Sequence, residues 1–180
     1  MSLLPSLPNA SLIDIFQAYP EFSKPIMEFA QALMRGDSPF TEGERELIAT
    51  FVSSINKCEY CRTSHGAIAE KFGHSKDLVN ELLHDINSAN IPDKLKPIFY
   101  YIQKLNLTPT QIEQSDIDAI LAAGWNEKAV VHAGLICGFF NLMNRLVEGV
   151  GIEPDLKILD ATVEHRYKHG YLSILEVLDR

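Results

Sequence analysis

Apolar residues recur at helical spacing along most of the chain. Leu47, Ile48, Phe51, Val52 and Ile55 follow Thr41 and Glu44, which stand three apart as in a capping box. A second helix is predicted from about Cys58 to Phe72, with Gly73 as its stop. Ser75 can cap a third that carries Leu78, Val79, Leu82, Leu83 and Ile86, and Pro92 suits the start of a fourth through Ile98, Tyr101, Ile102 and Leu105. Ser115 or Asp116 begins a short helix that ends before Gly124, and Asn126 then caps a long apolar one to about Val147. Residues 155–169 are amphipathic, and 171–179 form a last helix. No stretch alternates strictly with β-branched enrichment, so the pattern predicts an all-α fold.

Prolines punctuate the remainder. Two long stretches, 40–91 and 110–153, lack them, and each reads as a helix pair. With no clear linker, residues 1–180 read as one domain, with a hint of duplicated helix pairs near 41–73 and 115–148. Gly134 and Gly138, four apart on the long apolar helix, predict a close backbone approach there. The mostly apolar run Ala129 to Phe140 suits a buried helix and is too short to span a membrane.

Charge narrows the function. Sixteen basic and 24 acidic residues give a net charge of −8, which argues against nucleic acid and against polybasic membrane attachment. No basic segment precedes an apolar run near Met1, and the three cysteines, Cys58, Cys61 and Cys137, do not make a secreted disulfide framework. The expected compartment is the cytoplasm, where a close cysteine pair points to redox catalysis or metal binding.

Cys58, Cys61 and His65 are spaced i, i+3 and i+7, so one helix face carries all three. Cys58 lies in the first turn, where free N–H groups and the helix dipole favour a thiolate. His65 stands one turn beyond Cys61, and a thiol beside an imidazole generates a nucleophile near neutral pH. The preceding helix ends a residue or two before Cys58, so the two pack antiparallel about Lys57. That geometry brings Glu46 within a turn of His65, as the third group of a relay, while Glu44 is taken by the cap. The i+4 histidine favours Cys61 as the attacking sulfur; the helix-terminal position keeps the reverse order open for Cys58.

Glu46-Leu47-Ile48, then Cys58-Glu59-Tyr60-Cys61 and His65-Gly66, resembles the AhpD-like alkyl hydroperoxidases of the carboxymuconolactone decarboxylase superfamily, closest to their peroxidase-related branch. Ala122-Ala123-Gly124-Trp125 and Phe140-Asn141-Leu142-Met143-Asn144-Arg145 extend the resemblance over most of the chain. It implies a multi-helical, oligomeric fold (dimer, trimer or hexamer) with the cysteine pair at a helix N-terminus. It also implies peroxide reduction through a dithiol/disulfide cycle: Cys61 forms the sulfenic acid, Cys58 is its partner, and Glu46 and His65 are the proton relay. The implied partners are a small peroxide and an external dithiol, lipoyl or thioredoxin-like; no cofactor or metal is implied. One position departs from the family, where a histidine precedes the second cysteine: here it is Tyr60.

Two other readings use the same residues: a non-enzymatic redox-sensing oligomer, and a Cys/His metal site, which lacks the usual second ligand pair. A thioredoxin fold is disfavoured because no βαβ pattern surrounds the motif. Cys137 reads as a buried small hydrophobe, His132 as a satisfied core histidine, and Trp125 as a packing anchor.

Overall fold

The computed structural model describes residues 2–178. Those residues form α1 (Leu12–Ala18), α2 (Pro20–Arg35), α3 (Glu42–Ile55), α4 (Glu59–Lys71), α5 (Leu78–His84), α6 (Lys96–Leu107), α7 (Gln114–Ala122), α8 (Glu127–Val150), α9 (Leu159–His169) and α10 (Ser173–Leu178), with 3₁₀ turns at Asp93–Leu95 and Pro109–Gln111. No strand is present among the described residues. Of the expected last helix over 171–179, residue 179 lies outside the described residues.

α3 is the centre. Every residue from Arg45 to Ser53 is buried, as expected of a helix packed on all sides. Its start is fixed by the predicted capping box: the Glu44 N–H donates to Thr41 at 3.2 Å, and the Thr41 N–H donates to the Glu44 carboxylate at 2.8 Å. Phe51 meets Phe99 of α6 edge to face, with ring centroids 5.1 Å apart. α4 lies antiparallel against α3, and α8 and α6 close over it. Gly43 permits this packing, because a Cβ there would stand 2.8 Å from the Phe72 side chain just beyond α4.

The turn that delivers Cys58 is a Schellman motif. The Lys57 N–H donates to the Ser54 carbonyl at 3.1 Å and the Cys58 N–H to the Ser53 carbonyl at 2.9 Å. Lys57 occupies the left-handed position at φ 59°, normally given to glycine. The same Cys58 is the N-cap of α4, so one tight turn sets the cysteine pair relative to α3.

α2 is a helix that the proline pattern concealed. Pro20 sits at its first position, where no N–H is needed, but Pro25 lies inside it. Met27, Ala30, Leu33 and Met34 bury one face and offset the bond that Pro25 forgoes. Its last carbonyls are capped from afar: Arg45 Nη1 donates to Leu33 at 3.1 Å and Gly36 at 2.9 Å, and His132 Nε2 lies 2.9 Å from the Leu33 carbonyl.

Other boundaries shift for local reasons. Ser75 accepts from the Asp77 N–H and makes a turn, so α5 starts at Leu78 and ends before Ile86. Pro92 opens a 3₁₀ turn, and α6 begins only at Lys96. Asn126 caps α8 through the Ala129 N–H, as predicted. With 24 residues, α8 is long and apolar enough to cross a membrane, but half of its most apolar window is buried in the protein. No backbone approaches its glycines as expected. Gly134 faces the Tyr101 hydroxyl of α6, and Gly138 has open space, because it opens on a surface groove with Phe29, Leu135, Phe139 and Leu142. Trp125 packs on Phe40 and donates to the Lys94 carbonyl at 2.6 Å.

Replacing Lys57 with glycine should relieve the left-handed strain and raise the unfolding free energy by about 1 kcal/mol, measured by chemical denaturation. A loss of stability would show that the Lys57 side chain contributes more than its backbone costs.

Candidate functional site

A fully buried carboxylate anchors the site. Glu46 projects from the middle of α3, and three elements converge on it. Its Oε2 lies 2.7 Å from His65 Nδ1 of α4. Its Oε1 accepts from the Tyr171 hydroxyl at 2.9 Å and pairs with Arg35 Nη2 of α2 at 2.7 Å. Burial opposes the charge on Glu46, but His65 and Arg35 outweigh it and hold the carboxyl below its usual range. Burial pushes His65 down against the pull of Glu46, and the charges of Arg166 and Arg35 push the same way. The neutral ring therefore presents Nδ1–H to the carboxylate, which leaves Nε2 as the basic atom.

Tyr171 reaches Glu46 because the chain turns at Gly170. That residue has φ 70°, and a Cβ would meet Gln31 Oε1 at 2.6 Å. The same Gln31 oxygen accepts from the Tyr171 N–H at 2.7 Å. The hydroxyl also lies 3.2 Å from His65 Nδ1. Burial first, then Glu46, raises the phenol well above its ordinary value, so Tyr171 acts as a neutral donor.

The two sulfurs are buried and reduced, Cys58 fully and Cys61 to 3% exposure. They differ in proton affinity. Donating to Cys61 raises Cys58 most, with burial adding to it. The hydrogen bond from Cys58 lowers Cys61 most; burial opposes this, and a hydrogen bond from Asn144 and the charge of Arg166 add to the lowering. His65, one turn along the same helix, turns its Nδ1 to Glu46 and its ring edge to Phe140, centroids 4.6 Å apart.

Asn144 belongs to a chain of amides. Its Nδ2 donates to Ser53 at 3.0 Å, and its Oδ1 accepts from Asn56 at 2.9 Å. Asn56 in turn accepts from Asn106 at 2.9 Å, and Asn106 accepts from Asn141 at 2.6 Å. Cys137 sits in this polar seam as well as in the core: it lies 3.8 Å from Asn106 Oδ1, and burial pushes its thiol up to about 11.

The structure brings together Glu46 with His65 and Cys58 with Cys61 on adjoining turns of two helices. It adds Arg35, Asn144, Arg166 and Tyr171, none of which sequence spacing assigned to the site. They come from α2, α8, α9 and the turn before α10, up to 125 residues from Glu46. A small cavity of about 100 Å³ runs along α4 at Tyr60 and Ser64, lined also by Leu12, Phe16, Leu159 and Arg166 among others. A larger groove of about 450 Å³, bordered by Thr50, Gly66 and Asn80, touches neither sulfur.

Residues 20–89 match the model of the carboxymuconolactone decarboxylase family. No curated protein matches. Three solved structures share the fold. One is the alkylhydroperoxidase AhpD core of an uncharacterized peroxidase-related protein from Ralstonia eutropha JMP134, with 24% identity, 81% of this chain and 76% of that one covered, and a TM-score of 0.74. Another is an uncharacterized peroxidase-related protein from Silicibacter sp. TM1040, with 26% identity, the same coverage and a TM-score of 0.75. The third is a protein of unknown function from Agrobacterium tumefaciens, with 17% identity, 82% and 99% covered, and a TM-score of 0.70.

Glu46→Gln should cost about 3–5 kcal/mol, because it leaves the Arg35 cation buried without its partner. Arg35→Met in the same chain should recover part of that loss, and denaturation of both single variants and the double variant reads the coupling. Acidification should also destabilise the fold. His65 is depressed, so below about pH 6.5 the unfolded chain binds a proton that the native ring resists. Stability should therefore fall as pH drops through that window, with half-buried His74 and buried His132 contributing in the same direction. The loss should be shallower in His65→Gln, as read by melting temperature between pH 7.5 and 5; an unchanged slope would remove His65 from the effect.

Proposed function

We propose that the chain is a thiol-dependent peroxidase of the AhpD-like group of the carboxymuconolactone decarboxylase superfamily, a reading supported by the match over residues 20–89 and by the shared fold. The observation that carries this reading is the unequal cysteine pair: Cys58 holds the proton and Cys61 is lowered, beside a neutral histidine oriented by an ionised glutamate. A lowered thiol gives the attacking thiolate, and a raised neighbour is poised to resolve it.

The chemistry runs in three balanced steps. His65 Nε2 takes the Cys61 proton, and Glu46 steadies the imidazolium. The thiolate attacks the terminal oxygen of a hydroperoxide; the S–O bond forms, the O–O bond breaks, and the departing alkoxide takes the proton back from His65 and leaves as alcohol. Cys61 is now a sulfenic acid. The Cys58 sulfur displaces its hydroxide, which leaves as water with the Cys58 proton, and the Cys58–Cys61 disulfide forms. An external dithiol, lipoyl or thioredoxin-like, then reduces the disulfide by exchange and is itself oxidised. With Tyr60 where the family places a histidine, the relay rests on His65.

We also propose that the chain works as a homo-oligomer. Phe22, Phe29, Leu135 and Leu142 are 43–61% exposed and join Pro25, Ile26 and Gly138 in one apolar face along α2 and α8. A patch of this kind marks an interface. Leu142→Glu should lower the sedimenting mass, and an unchanged mass would place the interface elsewhere.

One equivalent of cumene hydroperoxide should convert the reduced protein to a Cys58–Cys61 disulfide, detected by peptide mass after alkylation. Cys61→Ser should abolish peroxide consumption. Cys58→Ser should still react once and stop at the sulfenic acid, trappable with dimedone. Peroxide consumption by Cys61→Ser at the wild-type rate would reverse the assignment of the two sulfurs.

A further inference from the structure

Among the described residues, Arg35 and Arg166 hold buried guanidinium nitrogens without a hydrogen-bond acceptor, but Arg35 is ion-paired with Glu42 and Glu46. Arg166 of α9 is 8% exposed, and its Nε is shielded from water with no hydrogen-bond acceptor among the described residues. A buried donor left unmet costs about 1–3 kcal/mol. Its guanidinium lies over the Tyr171 ring, 5.5 Å from the centroid. That contact holds the head in place without satisfying Nε.

Arg166 also lines the small cavity that runs along α4 at Tyr60 and Ser64. Tyr60 and Ser64, which flank Cys61 on α4, form the same wall. The inner surface is apolar, from Leu12, Phe16 and Leu159. The charge of Arg166 acts on Tyr60, Cys61, His65 and Tyr171.

We infer that Arg166 is the peroxide-binding group of this site: its Nε–H donates to the oxygen of a neutral alkyl or aryl hydroperoxide whose hydrocarbon part lies on Leu12, Phe16 and Leu159. The inference rests on the peroxidase reading above. As Cys61 attacks, negative charge develops on the departing oxygen, and a fixed buried donor is worth most there. The apolar wall favours an organic hydroperoxide with an uncharged hydrocarbon part over hydrogen peroxide. Arg166 then takes part of the role that the family's extra histidine would have near the second cysteine, where this chain has Tyr60.

The test uses the reduced full-length protein and follows loss of the Cys61 thiol. At each pH, the rate with cumene hydroperoxide is divided by the rate with iodoacetamide, so that the fraction of thiolate cancels. In Arg166→Gln this ratio should fall tenfold or more. Arg166→Lys keeps the charge but not the Nε–H; its iodoacetamide profile should stay near wild type while the ratio still falls several-fold. An iodoacetamide profile still shaped by the lowered Cys61 thiol shows that the pair remains assembled. A ratio unchanged in both variants overturns the inference and leaves Arg166 as a support for the thiolate. A carboxylate-bearing hydroperoxide that outpaces cumene hydroperoxide overturns the neutral-substrate assignment. A wild-type protein inert to every hydroperoxide, yet alkylated by iodoacetamide, overturns the peroxidase reading itself and this inference with it.

Discussion

The charge of Glu46 in the interior is the constraint on which the rest depends. A carboxylate with no exposure is tolerable only when cations and donors surround it. Here they come from three separate elements. Arg35 ends α2, His65 lies midway along α4, and Tyr171 follows the turn at Gly170. Each is itself buried and would be costly unpaired, so the four groups stabilise one another or none. This ties the amino-terminal helices and the carboxyl-terminal turn to the α3–α4 hairpin by a polar requirement as strict as any apolar contact. It also explains why α2 keeps its helical end despite Pro25: Arg45 and His132 hold the last carbonyls, and Arg35 is delivered where Glu46 needs it.

The local parts of the architecture were legible in the sequence. The Thr41 capping box, the Asn126 cap, the Gly73 stop and the order of helices from α3 to α8 follow from spacing and termini, because those signals act within a turn or two. So did the meeting of Glu46 and His65, since a short turn between antiparallel helices leaves little freedom in register. α2 was not legible, because proline is a local signal and its burial is not. Arg35, Asn144, Arg166 and Tyr171 were hidden for a related reason: each joins the site through tertiary packing across 11 or more positions of chain. No local spacing marks Arg35 or Arg166, and Tyr171 falls at the start of the last helix expected over 171–179. The one faint signal was Asn144, a polar interruption in the most apolar helix, which a core tolerates only when its amide is satisfied.

In the proposed cycle, which sulfur attacks depends on surroundings that the helix position does not reveal. At the N-cap of α4, Cys58 lies nearest the positive end of the dipole, and that placement by itself favours a thiolate. The dipole is a modest influence, worth about 0.3–1 kcal/mol at ordinary sites. Against it stand full burial and a hydrogen bond that Cys58 donates, both of which keep its proton in place. Cys61 loses the dipole's advantage but receives two donors, Cys58 and Asn144, and the field of Arg166. Hydrogen bonds to a charged acceptor are worth about 1.5–3 kcal/mol each, so two of them outweigh the dipole. Asn56 occupies the Asn144 carbonyl oxygen, which turns the Asn144 amide nitrogen to Ser53. An asparagine with its carbonyl free could flip and present an acceptor instead, which would raise the Cys61 thiol and move the nucleophile to Cys58. In the proposed cycle, the order of the two sulfurs thus depends on an amide pair outside the four-residue cysteine segment: Asn56, just before Cys58, and Asn144 of α8.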